Sequence, residues 1–256
     1  MITRAHFVSF SPCGGTEKIV RCLARDLPFP KQEHNITLPK SRAKSMSFGK
    51  DDLVFLAFPV YGGRMPRYFP SLVSFLSGDD TPLVMVAVYG NRAYEGAFLD
   101  MHEAVLANGF LPLAAIAAIS EHSLNPKFAT GRPDQVDADV LAEFGLRALQ
   151  KAQGGSGIIA APGAYPQWKL PSGMDVSLHT DLDACTACGL CVDMCPNDAI
   201  PPGAPQTTVA DKCLACSACI KHCPQQARRI GDAKTKKEFA SHLLHAVERK
   251  EPELIL

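Results

Sequence analysis

The sequence lacks several features that mark common functional classes. Its longest apolar run, residues 110–119, is well short of the roughly 18 residues that span a bilayer. The apolar stretch near the N-terminus is also too short and too interrupted for the core of a signal peptide. Lysine plus arginine and aspartate plus glutamate each total 26, so no net charge favours nucleic acid or an anionic membrane. We therefore expect a cytoplasmic protein with no membrane span and no nucleic-acid partner.

Motifs for hydrolysis and for nucleotide-dependent hydride transfer are missing as well. No nucleophile, triad or carboxylate pair stands out, and no G-x-G-x-x-G fingerprint supports direct use of NAD(P)H. The composition, 46% hydrophobic and 20% charged, is typical of a globular protein with a buried core. A length of 256 residues allows one domain of about 150 residues and a smaller second one.

Cysteine, in contrast, is abundant and regularly spaced between residues 185 and 223. Two runs read C-x2-C-x2-C-x3-C-P, and each cysteine of the second run lies 28 residues after its counterpart, as Cys213 does after Cys185. This spacing binds [4Fe-4S] clusters, and the fourth cysteine of each run ligates the other cluster when two are present. The predicted ligand sets are Cys185, Cys188, Cys191 and Cys223 for one cluster, and Cys213, Cys216, Cys219 and Cys195 for the other.

Two other interpretations of these cysteines stay open. Paired C-x2-C units also occur in zinc knuckles, although zinc needs only four ligands per site and gives no reason for the third C-x2 step. A disulfide framework is the remaining alternative. Cysteine at cluster spacing needs a reducing compartment, which again favours the cytoplasm, in an organism that lives at least partly without oxygen. Residues 180–230 resemble the bacterial two-cluster ferredoxin.

The first 153 residues alternate apolar runs with helical patterns. Strands are predicted at 5–10, 34–38, 53–58, 83–89 and 113–119, and helices at 16–27, 66–77, 95–108 and 134–152. This alternation predicts an α/β fold, a doubly wound five-stranded parallel sheet in the order 2-1-3-4-5. A small α+β ferredoxin domain with two [4Fe-4S] clusters would follow it. In such a sheet, ligands bind beyond the carboxyl ends of strands one and three.

The loops after these strands are similar to those of flavodoxin-like proteins. They read SPCGGTEK, FPVYGGRMP, VYGNRAYEGA and ISEHS. Together with the cysteine runs, they resemble the family of flavodoxin and ferredoxin fusions over residues 1 to about 230. We expect a flavodoxin-like domain at 1–153, a linker rich in proline and glycine at 154–178, and a ferredoxin domain at 179–231. An amphipathic pattern at 234–249 predicts a C-terminal helix within 232–256 that docks on the protein.

The resemblance implies that the loops hold FMN, with its phosphate at residues 11–16. This chain has Cys13 and Gly15 where flavodoxin loops have threonine and asparagine, so one hydroxyl donor is lost. A single phosphate loop and no second nucleotide-binding half favour FMN over FAD. The expected phosphate-side contacts are Ser11, Cys13, Gly14, Gly15 and Thr16. The expected ring-side contacts are Pro59, Val60, Tyr61, Gly62, Gly63, Arg64, Gly90, Asn91, Arg92 and Tyr94.

These cofactors together predict electron transfer between two [4Fe-4S] clusters and FMN, with an unknown redox partner protein. The first alternative is an FMN-dependent oxidoreductase that reduces a small-molecule electron acceptor, with Arg64, Arg92 or His122 as candidate catalytic residues. His122 is equally well interpreted as a histidine hydrogen-bonded to a loop carbonyl. The second alternative is a binding or sensing module whose flavodoxin-like part has lost its flavin, which the changes at Cys13 and Gly15 keep open.

Overall fold

The computed structural model describes residues 1–155, 157–165, 178–231 and 248–256. Its strands are β1 Arg4–Ser9, β2 Lys31–Asn35, β3 Met46–Phe48, β4 Asp52–Pro59, β5 Leu76–Gly78, β6 Thr81–Tyr89, β7 Phe110–Ile119, β8 Leu178–Thr180, β9 Arg228–Ile230 and β10 Glu253–Ile255. Its α-helices are α1 Gly15–Ala24, α2 Phe69–Val73, α3 Ala97–Ala107, α4 Gln135–Gln153, α5 Leu190–Asp193 and α6 Ala218–Lys221.

The main sheet contains five parallel strands in the order β2-β1-β4-β6-β7, as the alternating pattern predicts. A sixth strand, β10, pairs antiparallel with the outer edge of β7, so the predicted count of five strands is wrong. An edge strand leaves a row of backbone N–H and C=O groups unpaired, and a short segment from elsewhere in the chain can satisfy them. The three residues of β10 carry too little pattern to be predicted as a strand.

Helices cover both faces of the sheet. The strands β4, β6 and β7 are therefore buried along nearly their whole length. The helices α1 and α4 pack together on one face and α2 and α3 pack together on the other. At Gly145 of α4, an added Cβ would lie 2.3 Å from the carbonyl oxygen of Leu23, so α1 and α4 approach closely there. Asp134 caps α4 with a capping box.

Two predicted elements differ from those observed. The edge strand expected at 34–38 is observed as β2 at Lys31–Asn35. This strand is mostly exposed and is held by its backbone pairing with β1, so it carries no apolar run in the sequence. The apolar Ile36 and the polar Thr37 are buried just after β2, where the chain re-enters the core. The helix expected at 66–77 is only α2, and the residues after it form β5, which pairs with β3 in a small parallel sheet.

The sequence repeat in the cysteine-rich part is also a repeat of local structure. The short helices α5 and α6 begin after Gly189 and Ser217, both with positive φ. Further residues with positive φ also lie 28 positions apart, namely Ala187 (53°) and Ala215 (54°), and Asp198 (49°) and Gln226 (50°). The antiparallel pair β8 and β9 joins the two ends of this part. The two cysteine runs therefore share one backbone conformation.

The segments flanking the cysteine-rich part are described only in part. In the linker, Tyr165 lies under the guanidinium of Arg64, at 4.4 Å from the ring centroid, whereas Trp168 lies outside the described residues. Most of the predicted C-terminal helix, residues 232–247, also lies outside them. The described end of the chain, 248–256, is extended and includes β10, so it is not helical as expected. None of the described helices combines the length and apolarity needed to cross a membrane.

Candidate cofactor sites

A pocket of about 1120 Å³ opens beyond the carboxyl ends of β1, β4, β6 and β7. Most residues predicted to bind the flavin line it, namely Cys13, Gly15, Thr16, Pro59, Val60, Tyr61, Gly62, Gly63, Arg64, Gly90 and Arg92. The cysteine-rich part closes one side with Ala210, Asp211, Cys213, Leu214, Ala215, Cys216 and Lys221. Ligand pockets in proteins commonly have this scale, so the space suits a cofactor of the size of FMN.

The loop between β1 and α1 forms one end of the pocket. Gly14 has a φ of 83°, which glycine adopts without strain, and this turn leads directly into the helix. The Ser11 hydroxyl accepts a hydrogen bond from the backbone N–H of Glu17 at 3.0 Å, so it acts within the loop. The carboxylate of Glu17 is paired with Arg21 at 2.5 Å. Thr16 is buried and lines the pocket, at the positive end of the helix dipole.

A two-residue hairpin turn forms the middle of the pocket wall. The backbones of Tyr61 and Arg64 exchange hydrogen bonds of 2.9 and 3.2 Å. Gly62 and Gly63 between them both have positive φ, 60° and 77°, as a type I′ turn requires. A Cβ at Gly63 would lie 1.7 Å from the Oε2 atom of Glu95, so the turn also packs tightly against the next loop.

The ring of Tyr61 lies where the two parts of the chain meet. Burial raises the pKa of Tyr61 well above its ordinary value, and nearby Cys216 and Cys13 raise it further. Burial likewise raises the pKa of Cys13 to about 11, while Lys221 opposes that shift. The Cys13 thiol also donates a hydrogen bond to the carbonyl oxygen of Cys216, 3.1 Å away. The phosphate-side loop and the second cysteine run are therefore in direct contact beside the pocket.

Four of the predicted flavin contacts do not line the pocket, namely Ser11, Gly14, Asn91 and Tyr94. The side-chain amide of Asn91 donates to the carbonyl of Glu248 at 2.6 Å and accepts from the N–H of Lys250 at 3.2 Å. The hydroxyl of Tyr94 donates to the Glu253 carboxylate at 3.0 Å. Asn91 and Tyr94 therefore hold the C-terminal tail against the loop after β6.

The three candidate catalytic residues already have partners. Arg64 forms a bidentate pair with Asp100 at 2.6 and 2.8 Å, and Arg92 pairs with Glu95 at 2.7 and 2.9 Å.

The Nδ1 atom of His122 accepts hydrogen bonds from the backbone N–H groups of Leu124 and Asn125, both at 3.2 Å. Burial lowers the pKa of His122 to about 4, so its ring is uncharged at neutral pH. These contacts favour a histidine held within its loop, through backbone N–H groups rather than the expected carbonyl.

The predicted ligands of the second cluster surround one small cavity. Its lining includes Cys195, Cys213, Cys216 and Cys219, the set in which the fourth member comes from the other run. Electrostatic coupling links Cys195 with each of the other three thiols. Burial raises the pKa of all three, to about 11 for Cys219. Within the described part of the chain, no three His, Cys, Asp or Glu side chains are arranged to hold a single metal ion.

The fourth cysteine of each run has the same hydrogen bond. The N–H of Ala199 donates to the sulfur of Cys195 at 3.2 Å, and the N–H of Ala227 donates to Cys223 at 3.3 Å. Backbone N–H groups directed at sulfur stabilise thiolate ligands and tune the potentials of iron–sulfur clusters. The equivalent environments of Cys195 and Cys223 agree with equivalent roles in the two runs.

Polar and apolar contacts join the cysteine-rich part to the α/β part. The apolar residues Leu214 and Ala218 belong to the same buried cluster as the sheet residues Phe10 and Phe58. The polar contacts run from Cys13 to the carbonyl of Cys216 (3.1 Å), from His222 to that of Pro12 (3.3 Å), from Arg42 to that of Pro196 (2.7 Å) and from Tyr68 to that of Asp211 (2.7 Å). The second cysteine run thus packs against the carboxyl edge of the sheet.

Comparison with known proteins identifies a family for part of the cysteine-rich segment. Residues 178–200 match the Fer4 family, described as a 4Fe-4S binding domain, so the chain contains a ferredoxin-type iron–sulfur domain near its C-terminus. No curated protein matches the sequence.

Among solved structures, the Streptococcus pneumonia TIGR4 flavodoxin is similar at 16% identity. The match covers 59% of this chain and 99% of that one, with a TM-score of 0.38.

Proposed function

We propose that this chain is an electron-transfer iron–sulfur flavoprotein that carries two [4Fe-4S] clusters and FMN and serves an unknown redox partner in the cytoplasm. The observation that carries the proposal is the position of Cys213 and Cys216. These two residues line both the four-cysteine cavity and the large pocket at the sheet edge. A cofactor held in the pocket would therefore lie directly beside the thiols of the second cluster.

The residues present fit both kinds of cofactor. Four thiols around one cavity are the donor set of a [4Fe-4S] cluster. The first run has the same backbone conformation as the second, which supports the same role for the set Cys185, Cys188, Cys191 and Cys223. The glycine turn at 62–63 and the N-terminus of α1 suit a planar ring and a phosphate. When bound, the clusters would accept one electron each and FMN two, which suits exchange between single electrons and pairs.

The protein's own residues would position and insulate these groups. Tyr61 and Leu214 separate the pocket from the sheet core, and burial of Cys216 and Cys219 keeps water from the second cluster. The direct contact of Cys13 with Cys216 fixes the distance between the two sites. Fixed spacing of this kind is what electron transfer between two centres in one chain requires.

An anaerobic reductive titration tests the proposal. Stepwise addition of dithionite, followed by absorption spectroscopy, should consume about four electrons per chain, one for each cluster and two for the flavin. Reoxidation by a defined small molecule in steady turnover, rather than by a protein partner, would instead favour the flavin-dependent reductase. Uptake of about two electrons with no change in a flavin band would leave the chain as a ferredoxin with a flavin-free domain.

Replacement of Arg64 by alanine should lower the flavin potential while FMN still binds. The change removes a positive charge at the pocket wall and leaves the Asp100 carboxylate there without its bidentate partner. One unit of charge near the surface is worth about 1 kcal/mol, which corresponds to a shift of roughly 20 mV for a two-electron couple. Arg147→Ala, on α4 and outside the pocket lining, is the matched loss of charge. Equal potentials in the Arg64 variant and the wild type would contradict this role.

A further inference from the structure

Two lysines from different parts of the chain line the pocket near the loop after β1. Lys18 lies on α1, and Lys221 lies at the end of α6 in the cysteine-rich part. Within the described residues, neither ammonium group has a carboxylate within salt-bridge distance. Both side chains are exposed. Together they give this end of the pocket an excess of positive charge.

The position of Lys221 is fixed by contacts of its neighbours with the same loop. His222, the next residue, donates a hydrogen bond to the carbonyl oxygen of Pro12 at 3.3 Å. The adjacent loop residue, Cys13, donates to the carbonyl of Cys216. These contacts hold α6 across the loop, and Lys221 lines the pocket beside it.

We propose that the cysteine-rich part completes the phosphate site of the flavin pocket, with Lys221 providing charge that the α/β part alone does not provide. The inference rests on the proposed function and adds a residue to it. The loop has lost a hydroxyl donor at Cys13, and Ser11 does not line the pocket. Positive charge from Lys221 compensates for the missing donor. Retention of FMN then depends on the correct docking of the iron–sulfur part.

The test compares FMN with riboflavin, which has the same ring but no phosphate. Full-length, cluster-loaded protein is deflavinated and titrated anaerobically with each ligand, as wild type and as Lys221→Gln, which removes the charge but keeps a polar side chain. The variant should raise the Kd for FMN about threefold to tenfold, as expected for an exposed ammonium beside a phosphate with nearly two charges. The Kd for riboflavin should change by less than about twofold.

Two controls separate charge from structure. Lys221→Arg keeps the positive charge and should retain most of the affinity for FMN. Lys212→Gln removes an exposed lysine that does not line the pocket and should leave both Kd values unchanged. Iron content should match the wild type in all three variants. The difference between FMN and riboflavin should also shrink as salt is added, because salt screens the lysine.

The outcomes separate a failure of the proposed flavin role from a failure of the role proposed for Lys221. If the wild type binds neither ligand, the proposed flavin role fails and this inference fails with it. If the wild type binds FMN but Lys221→Gln weakens FMN and riboflavin equally, or weakens neither, only the role of Lys221 is overturned. Selective loss of FMN affinity, restored in Lys221→Arg, supports it.

Discussion

Replacement of Cys195 by serine should remove one whole cluster, so that anaerobically purified protein carries about four iron atoms per chain rather than about eight. Cys195 shares a small, largely buried cavity with three other thiols, and a serine hydroxyl is a poorer ligand for iron than a thiolate. Visible absorption from the clusters should fall by about half. Cys22→Ser, which changes a cysteine of α1 outside both runs, should keep all of the iron.

Double variants identify which cluster Cys195 serves. If Cys195 and Cys219 ligate the same cluster, the double variant should lose no more iron than Cys195→Ser alone. If Cys195 and Cys191 ligate different clusters, that double variant should lose nearly all of it. Each set acts as a unit, so the losses are not additive within a set. The opposite result would mean that each run binds its own cluster, in contradiction to the shared cavity of Cys195 with Cys213, Cys216 and Cys219.

Replacement of Gly63 by alanine should destabilise the fold by about 2 kcal/mol or more and weaken FMN binding. The backbone of Gly63 has a φ of 77°, which costs a residue with a Cβ roughly 1–2 kcal/mol. The new Cβ would also lie 1.7 Å from the Oε2 atom of Glu95, an overlap worth about 1–3 kcal/mol. Glu95 is held by Arg92, so it does not move away freely. The turn must change shape, and with it the pocket wall.

A glycine at the end of α4 provides the matched control for this prediction. Gly155 also has a positive φ, 66°, but a Cβ there would meet nothing within 4 Å. Gly155→Ala therefore carries the backbone strain without the overlap, and it lies outside the pocket lining. It should lower thermal stability slightly and leave the Kd for FMN unchanged. A folded Gly63→Ala protein that binds FMN as tightly as the wild type would show that the turn does not shape the site.

Local patterns predicted much of the fold and most of the pocket. Apolar runs predicted the central strands because β4, β6 and β7 are buried on both faces, which leaves a strong signal in the sequence. The alternation of strands with helices predicted their order. Loops that follow those strands converge because the carboxyl ends of parallel strands lie at one edge. The cysteine spacing predicts that Cys213, Cys216 and Cys219 lie together, and they line one small cavity.

Contacts between distant segments were not predictable in the same way. Asn91 and Tyr94 were assigned to the flavin, but they bind a tail about 160 residues further along the chain, whose few residues carry no strand pattern. The role proposed for Lys221 depends on the docking of α6 across the loop after β1. No local pattern in the sequence indicates that docking, although Lys221 lies between Cys219 and Cys223.

The central claim, two [4Fe-4S] clusters beside one FMN, is tested most directly by measuring iron and flavin on the same anaerobic sample together with its absorption spectrum. The account predicts about eight iron atoms and one FMN per chain, with overlapping cluster and flavin bands in the visible range. Stoichiometric zinc with no visible absorption would contradict the cluster assignment. Eight irons with no flavin, and no saturable binding of added FMN, would contradict the flavin assignment.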